Sequence, residues 1–138
     1  MSFREKSAWI SLISISFVSL LYLPHIPWTL TPGASRAGFH GLIYCVLALV
    51  VIEVVAHLTI ALRAPRDGGI RPDERDQMIA LKALRIGAYV YALGSMLAVV
   101  TIHLGANQFA LGYLVVLALA IAEIVNYSAR VVYYRRGV

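Results

Sequence analysis

Apolar residues fall in four long runs, at 7–23, 38–62, 86–104 and 109–128, and none alternates with the period of a half-buried strand. A helix crosses the hydrocarbon core of a bilayer in about 20 residues, with a range of roughly 17–25, so each run predicts a membrane-spanning helix. The breaks between them are equally definite. Pro24, Pro27 and Pro32 surround Trp28 after the first run, which predicts an interfacial loop anchored at headgroup level. Arg63-Ala64-Pro65-Arg66-Asp67-Gly68-Gly69 closes the second, and Gly105-Ala106-Asn107-Gln108 is a tight uncharged turn between the third and fourth. Helix three is predicted to start ahead of its apolar part, with Asp73 as N-cap and Asp76 as the capping-box partner. The first run, behind Arg4-Glu5-Lys6, also has the outline of a signal peptide, but its length favours a retained span.

Composition agrees with the pattern. Hydrophobic residues make up 60% of the 138 positions and charged residues 14%, with a mean hydropathy of +0.78, which excludes an ordinary soluble domain. The expected fold class is therefore all-α: one integral membrane domain, 1–138, built as a four-helix bundle with a cytoplasmic loop at 63–85. Cys45 is the single cysteine, so no intrachain disulfide or CxxC pair exists. Of the 12 lysines and arginines, only Arg36 falls on the side opposite the others. The positive-inside rule places both termini and the central loop in the cytoplasm, at the cell membrane. Anionic lipid headgroups at that face are the expected partner of the +5 net charge, and nucleic acid is not. Arg75, Lys82, Arg85 and Tyr89 recur at helical spacing and predict one basic cytoplasmic face.

The candidate chemistry lies inside the spans. Glu53 sits in an aliphatic phrase running from Leu47 to His57, and a matching phrase from Leu117 to Val125 carries Glu123 in the same place. If the two phrases reflect a duplication, the halves are parallel two-helix repeats about an axis along the membrane normal. His57 follows Glu53 by one helical turn, and Asn126 and Tyr127 follow Glu123, so each glutamate heads a polar stripe. Ionisable groups at membrane depth are costly and face a bundle interior or a cavity. Such a glutamate serves either as a hydrogen-bonding group that sets helix packing or as a proton or cation site. Both carboxyls are expected to point inward, and they can meet if spans two and four face each other.

Other chemistry is weakly marked. His25, His40 and His103 share the exterior side and are weak candidates for a metal or haem site, without close ligand spacing. No GxSxG, P-loop, HExxH or dinucleotide fingerprint occurs, so an enzyme is not expected, and nothing calls for a cofactor.

Arg63-Ala64-Pro65-Arg66-Asp67, the stretch from Asp73 to Ala83 and the ending Val132-Tyr133-Tyr134-Arg135-Arg136-Gly137 resemble small four-span bacterial and archaeal membrane proteins of the DUF2178-like group, with its DERD-type signature. The resemblance covers the loop, span three and the tail, and hardly touches span one. It implies topology and a prokaryotic membrane, and it transfers no catalytic residue.

Three function classes stay open. The first is a non-enzymatic membrane interaction or regulatory component, with a membrane or cytoplasmic protein partner and glutamates that organise the bundle. The second is a homodimeric transporter or channel component coupled to protons or cations through Glu53 and Glu123. The third is a metal or haem protein using the exterior histidines.

Overall fold

The computed structural model describes residues 3–22, 36–63 and 73–136. All secondary structure among them is helical: α1 is Phe3–Tyr22, α2 Arg36–Arg63, α3 Glu74–His103 and α4 Gln108–Arg136. Among the described residues, three helices are long and apolar enough to cross a membrane, in α2 (His40–Thr59), α3 and α4. The first of the four expected spans begins as a helix at Phe3, so its opening turn contains Arg4, Glu5 and Lys6. Those charges are followed by serines at 7, 11, 14, 16 and 19, which interrupt the apolar surface of α1. The proline-rich loop around Trp28 and the turn at Gly68-Gly69 lie outside the described residues.

Helix α3 starts where its cap dictates. Asp73 is extended (φ −63°, ψ 154°), and its Oδ1 accepts the Glu74 amide at 2.7 Å, which satisfies one of the orphan N–H groups of the first turn. Asp76 departs from the capping-box expectation. Its carboxylate turns across the fold to Arg4, whose Nε is 2.9 Å from Oδ2, because a full charge partner on α1 outweighs a reciprocal bond to a backbone amide. Residues 74–85 of the expected loop thus form about the first three turns of α3. The helix closes at Leu104, and Gly105 takes φ 89°, a conformation that costs glycine nothing. Asn107 then caps α4, its Oδ1 accepting the Ala110 amide at 2.9 Å.

The closest packing is between α3 and α4. Gly87 and Gly94 on α3 meet Ala118, Ala122 and Asn126 on α4, so the two backbones approach with almost no side chain between them. A Cβ at position 94 would lie 2.7 Å from the Ala118 Cβ. Helix α4 is the centre of the fold, because α1 and α2 also pack on it. Ala8, Ser11 and Ile15 form the buried face of α1, while Ile13, Phe17, Leu20 and Leu21 are exposed.

Helix α2 is the peripheral one. Leu42 is buried against Ala110 and Tyr113 at the start of α4, and Glu53 and His57 reach α1 further along. Most of its remaining aliphatic side chains, from Val46 to Leu62, are exposed. The two hairpins are therefore unequal, α3 and α4 joined along their length and α1 and α2 joined chiefly through polar groups.

Candidate functional site

Four side chains on two helices build the site. Ser7 and Ser11 are one helical turn apart on α1, as Glu53 and His57 are on α2. The helices run antiparallel, so the two pairs meet head to tail: Ser11 with Glu53 and Ser7 with His57. The Ser11 hydroxyl, fully buried, donates to Glu53 Oε2 at 2.8 Å. His57 Nδ1 lies 2.9 Å from the Glu53 carbonyl and 3.4 Å from its Oε2. A carbonyl oxygen only accepts, so Nδ1 carries the hydrogen, and in the neutral ring Nε2 is left as an acceptor. Ser7 Oγ is 2.9 Å from Nε2 and Ser11 Oγ is 3.4 Å from it.

This arrangement leaves the carboxyl unevenly satisfied. Glu53 Oε1 is buried without a hydrogen-bond partner, while Oε2 is held by Ser11. A lone buried carboxyl oxygen is expensive, since burial removes water and nothing replaces it. His57 is more open than Glu53, with side-chain exposures of 42% and 21%, so the imidazole stands between the carboxyl and the outside.

His57 and Ser7 line a polar cavity of about 160 Å³ to which all four helices contribute, with Arg4, Asp76, Tyr127, Arg130 and Tyr134 among its walls. The start of α1, the end of α2, the start of α3 and the end of α4 therefore share one end of the fold. Asp76 is fixed there by Arg4 and by a hydrogen bond from Tyr134. Arg135 sits 4.0 Å from Glu5 Oε1 and over the Trp9 ring at 5.2 Å, which ties the end of α4 to α1.

Glu123 has a different setting. Its Oε2 accepts from Asn126 Nδ2 at 3.1 Å, and Asn126 Oδ1 accepts from Arg130 Nε at 3.2 Å. The Arg130 guanidinium also stacks on Tyr127, 5.0 Å from the ring centroid. Glu123 lines a groove shared with Gly87, Ala88 and Tyr91 of α3. Glu53 and Glu123 share no hydrogen bond, because each faces the first helix of its own hairpin.

The remaining expected residues fall as follows. Arg75, Lys82, Arg85 and Tyr89 are all exposed on α3. His40 and His103 are exposed on α2 and α3, and His25 lies outside the described residues. Among the described residues no three of His, Cys, Asp and Glu gather as a metal site would require. Cys45 is free and half-buried.

Sequence reasoning missed Ser7 and Ser11. The signal was a serine pair at spacing four on one helix, matching the Glu-His pair at spacing four on the next. It was masked by the other serines of α1, at 14, 16 and 19. Comparison with protein families, with curated proteins and with solved structures finds no match for this chain.

Proposed function

We propose that the chain is a four-span protein of the cell membrane, with both termini and the α2–α3 connection cytoplasmic, and that Glu53 is a proton site served from the cytoplasm through His57. It would act as a proton- or cation-coupled transporter or channel component. The observation that carries this reading is the hydrogen-bonded chain from Glu53 through Ser11 to His57, which ends at a polar cavity. Packing alone needs one hydrogen bond, and here a half-satisfied carboxyl is joined to an imidazole, whose two ring nitrogens can accept and donate a proton. In the transfer, imidazolium Nε2 gives its proton to Ser11 Oγ as Ser11 passes its own hydrogen to the Glu53 carboxylate. His57 loses one proton and Glu53 gains one.

The test is proton flux into proteoliposomes under an imposed pH gradient. Glu53→Gln should abolish the flux attributable to the protein and leave the helical content unchanged. Flux that persists in Glu53→Gln at the wild-type rate overturns the proton reading.

Topology has its own test. With Cys45 replaced by alanine, Glu74→Cys should be protected from a membrane-impermeant thiol reagent in intact cells and Gln108→Cys should be labelled. Both residues are exposed at opposite ends of the fold, so the reverse pattern would invert the orientation.

A second reading is favoured by the exposed row of Arg75, Lys82 and Arg85. On it the protein is a membrane interaction component. The basic row holds anionic headgroups or a cytoplasmic partner, and Glu53 serves to fasten α2.

A further inference from the structure

We infer that the groove at Glu123 is a binding site for an organic cation with an apolar body, separate from the proton site at Glu53. The groove has a volume of about 200 Å³ and is walled by Leu84, Ala88 and Tyr91 of α3 and by Leu119 and Ala122 of α4, with Glu123 and Asn126 as its polar groups. Among the described residues Asp76 has Arg4, Glu5 has Arg135 and Glu53 has His57 within ion-pair distance. Glu123 has no such partner, and its hydrogen bond is to a neutral amide. The cation nearest to it in sequence, Arg130, is already engaged with Asn126 Oδ1 and the Tyr127 ring. A carboxylate at membrane depth without a counter-charge attracts one.

The groove's chemistry selects the kind of cation. Sodium or calcium needs six or so oxygen ligands, and this site offers one carboxylate, since Asn126 presents its oxygen to Arg130. An ammonium or phosphonium centre needs charge and contact instead of a coordination shell. Aliphatic walls take its apolar substituents, and the partly exposed Tyr91 ring offers a cation–π face beside the carboxylate. Glu123 precedes Arg130 by seven residues, about 10 Å along the helix, so the ligand must also be at home below the headgroups. As the cargo of a proton-coupled cycle this cation rests on the reading above. As a bound ligand it stands on the groove alone.

Tetraphenylphosphonium is the probe, titrated into the purified full chain in detergent and followed by calorimetry. Saturable binding is expected, weakened at least tenfold in Glu123→Gln. Glu53→Gln should bind with wild-type affinity, because Glu53 faces another hairpin. Ala88→Phe should also weaken binding at least tenfold, by filling the groove from an exposed position without touching the charge, and it keeps the test decisive if Glu123→Gln does not fold. No saturable binding to the wild type, unchanged affinity in a folded Glu123→Gln or Ala88→Phe, or equal loss in Glu53→Gln would each overturn the assignment. Binding as expected without proton flux would sink the proton-coupled reading and leave this one standing.

Discussion

Gly94→Leu should separate α3 from α4 and produce the largest loss of thermal stability of any single substitution in the described helices. The smallest possible side chain at position 94 would already place its Cβ 2.7 Å from that of Ala118, closer than carbon atoms approach without displacement. Ala118 is itself buried, and its Cβ is fixed to the α4 backbone with no rotamer by which to turn aside. Overpacking costs about 1–3 kcal/mol when side chains alone adjust, and here whole helices must move. Gly87 is tight in a second way, since an added Cβ would lie 3.0 Å from the Ala122 carbonyl oxygen, a backbone atom. Gly87→Ala should therefore be clearly destabilising, and less so than Gly94→Leu. Thermal unfolding of the purified protein in detergent is the measurement. By contrast, a substitution of similar size at exposed Val99 or Met96, on the same helix, should leave the midpoint nearly unchanged. Equal midpoints for Gly94→Leu and Met96→Leu would show that the α3–α4 contact is looser than described.

Ser11→Ala should loosen α2 and disturb the proton site together. Its hydroxyl is the donor that holds Glu53 Oε2, and Glu53 Oε1 has no partner of its own. Removing that donor leaves both carboxyl oxygens without a cross-helix bond, and a buried acceptor left bare costs about 1–3 kcal/mol. Glu53→Gln keeps an acceptor for Ser11 and so should cost less. The bond itself is measured with Glu53→Ala, which removes the acceptor: in the Ser11→Ala/Glu53→Ala double variant the loss should fall short of the sum of the single losses by about 0.5–2 kcal/mol, as expected of side chains in direct contact. Strict additivity would mean that the bond contributes nothing to stability. The same variants separate the two readings of the protein. If fastening α2 is the whole role, flux follows stability through the series. If Glu53 carries the proton, Glu53→Gln loses flux while remaining more stable than Ser11→Ala.

Much of the one-dimensional organisation was legible. Helical apolar runs, the proline and glycine breaks, Asp73 as a cap and the turn at Gly105 are local properties, set by backbone sterics and by the length of chain between breakers. The polar stripes Glu53-His57 and Glu123-Asn126 were legible for the same reason, because 3.6 residues per turn places such pairs on one face whatever the helix packs against. The basic row of α3 belongs to this class as well.

Lateral arrangement was not legible, and the tertiary structure alone decided it. An aliphatic helix surface is chemically alike whether a neighbouring helix or a lipid chain covers it, so composition could not say that α4 would be central and α2 peripheral. The repeated phrase around the two glutamates suggested equivalent sites. Packing made them unlike, because Glu53 faces two serines on α1 while Glu123 faces glycine, alanine and tyrosine on α3. Ser7 and Ser11 gained their meaning only from the antiparallel register that sets them against Glu53 and His57. Asp76 exchanged a local capping role for Arg4 once the start of α1 arrived beside it. Periodicity fixes which residues share a face of one helix, and side-chain chemistry fixes what that face can bind. Which face of another helix it meets depends on close packing of small residues over the whole length of a hairpin, a sum of many weak contacts that no single stretch of sequence contains.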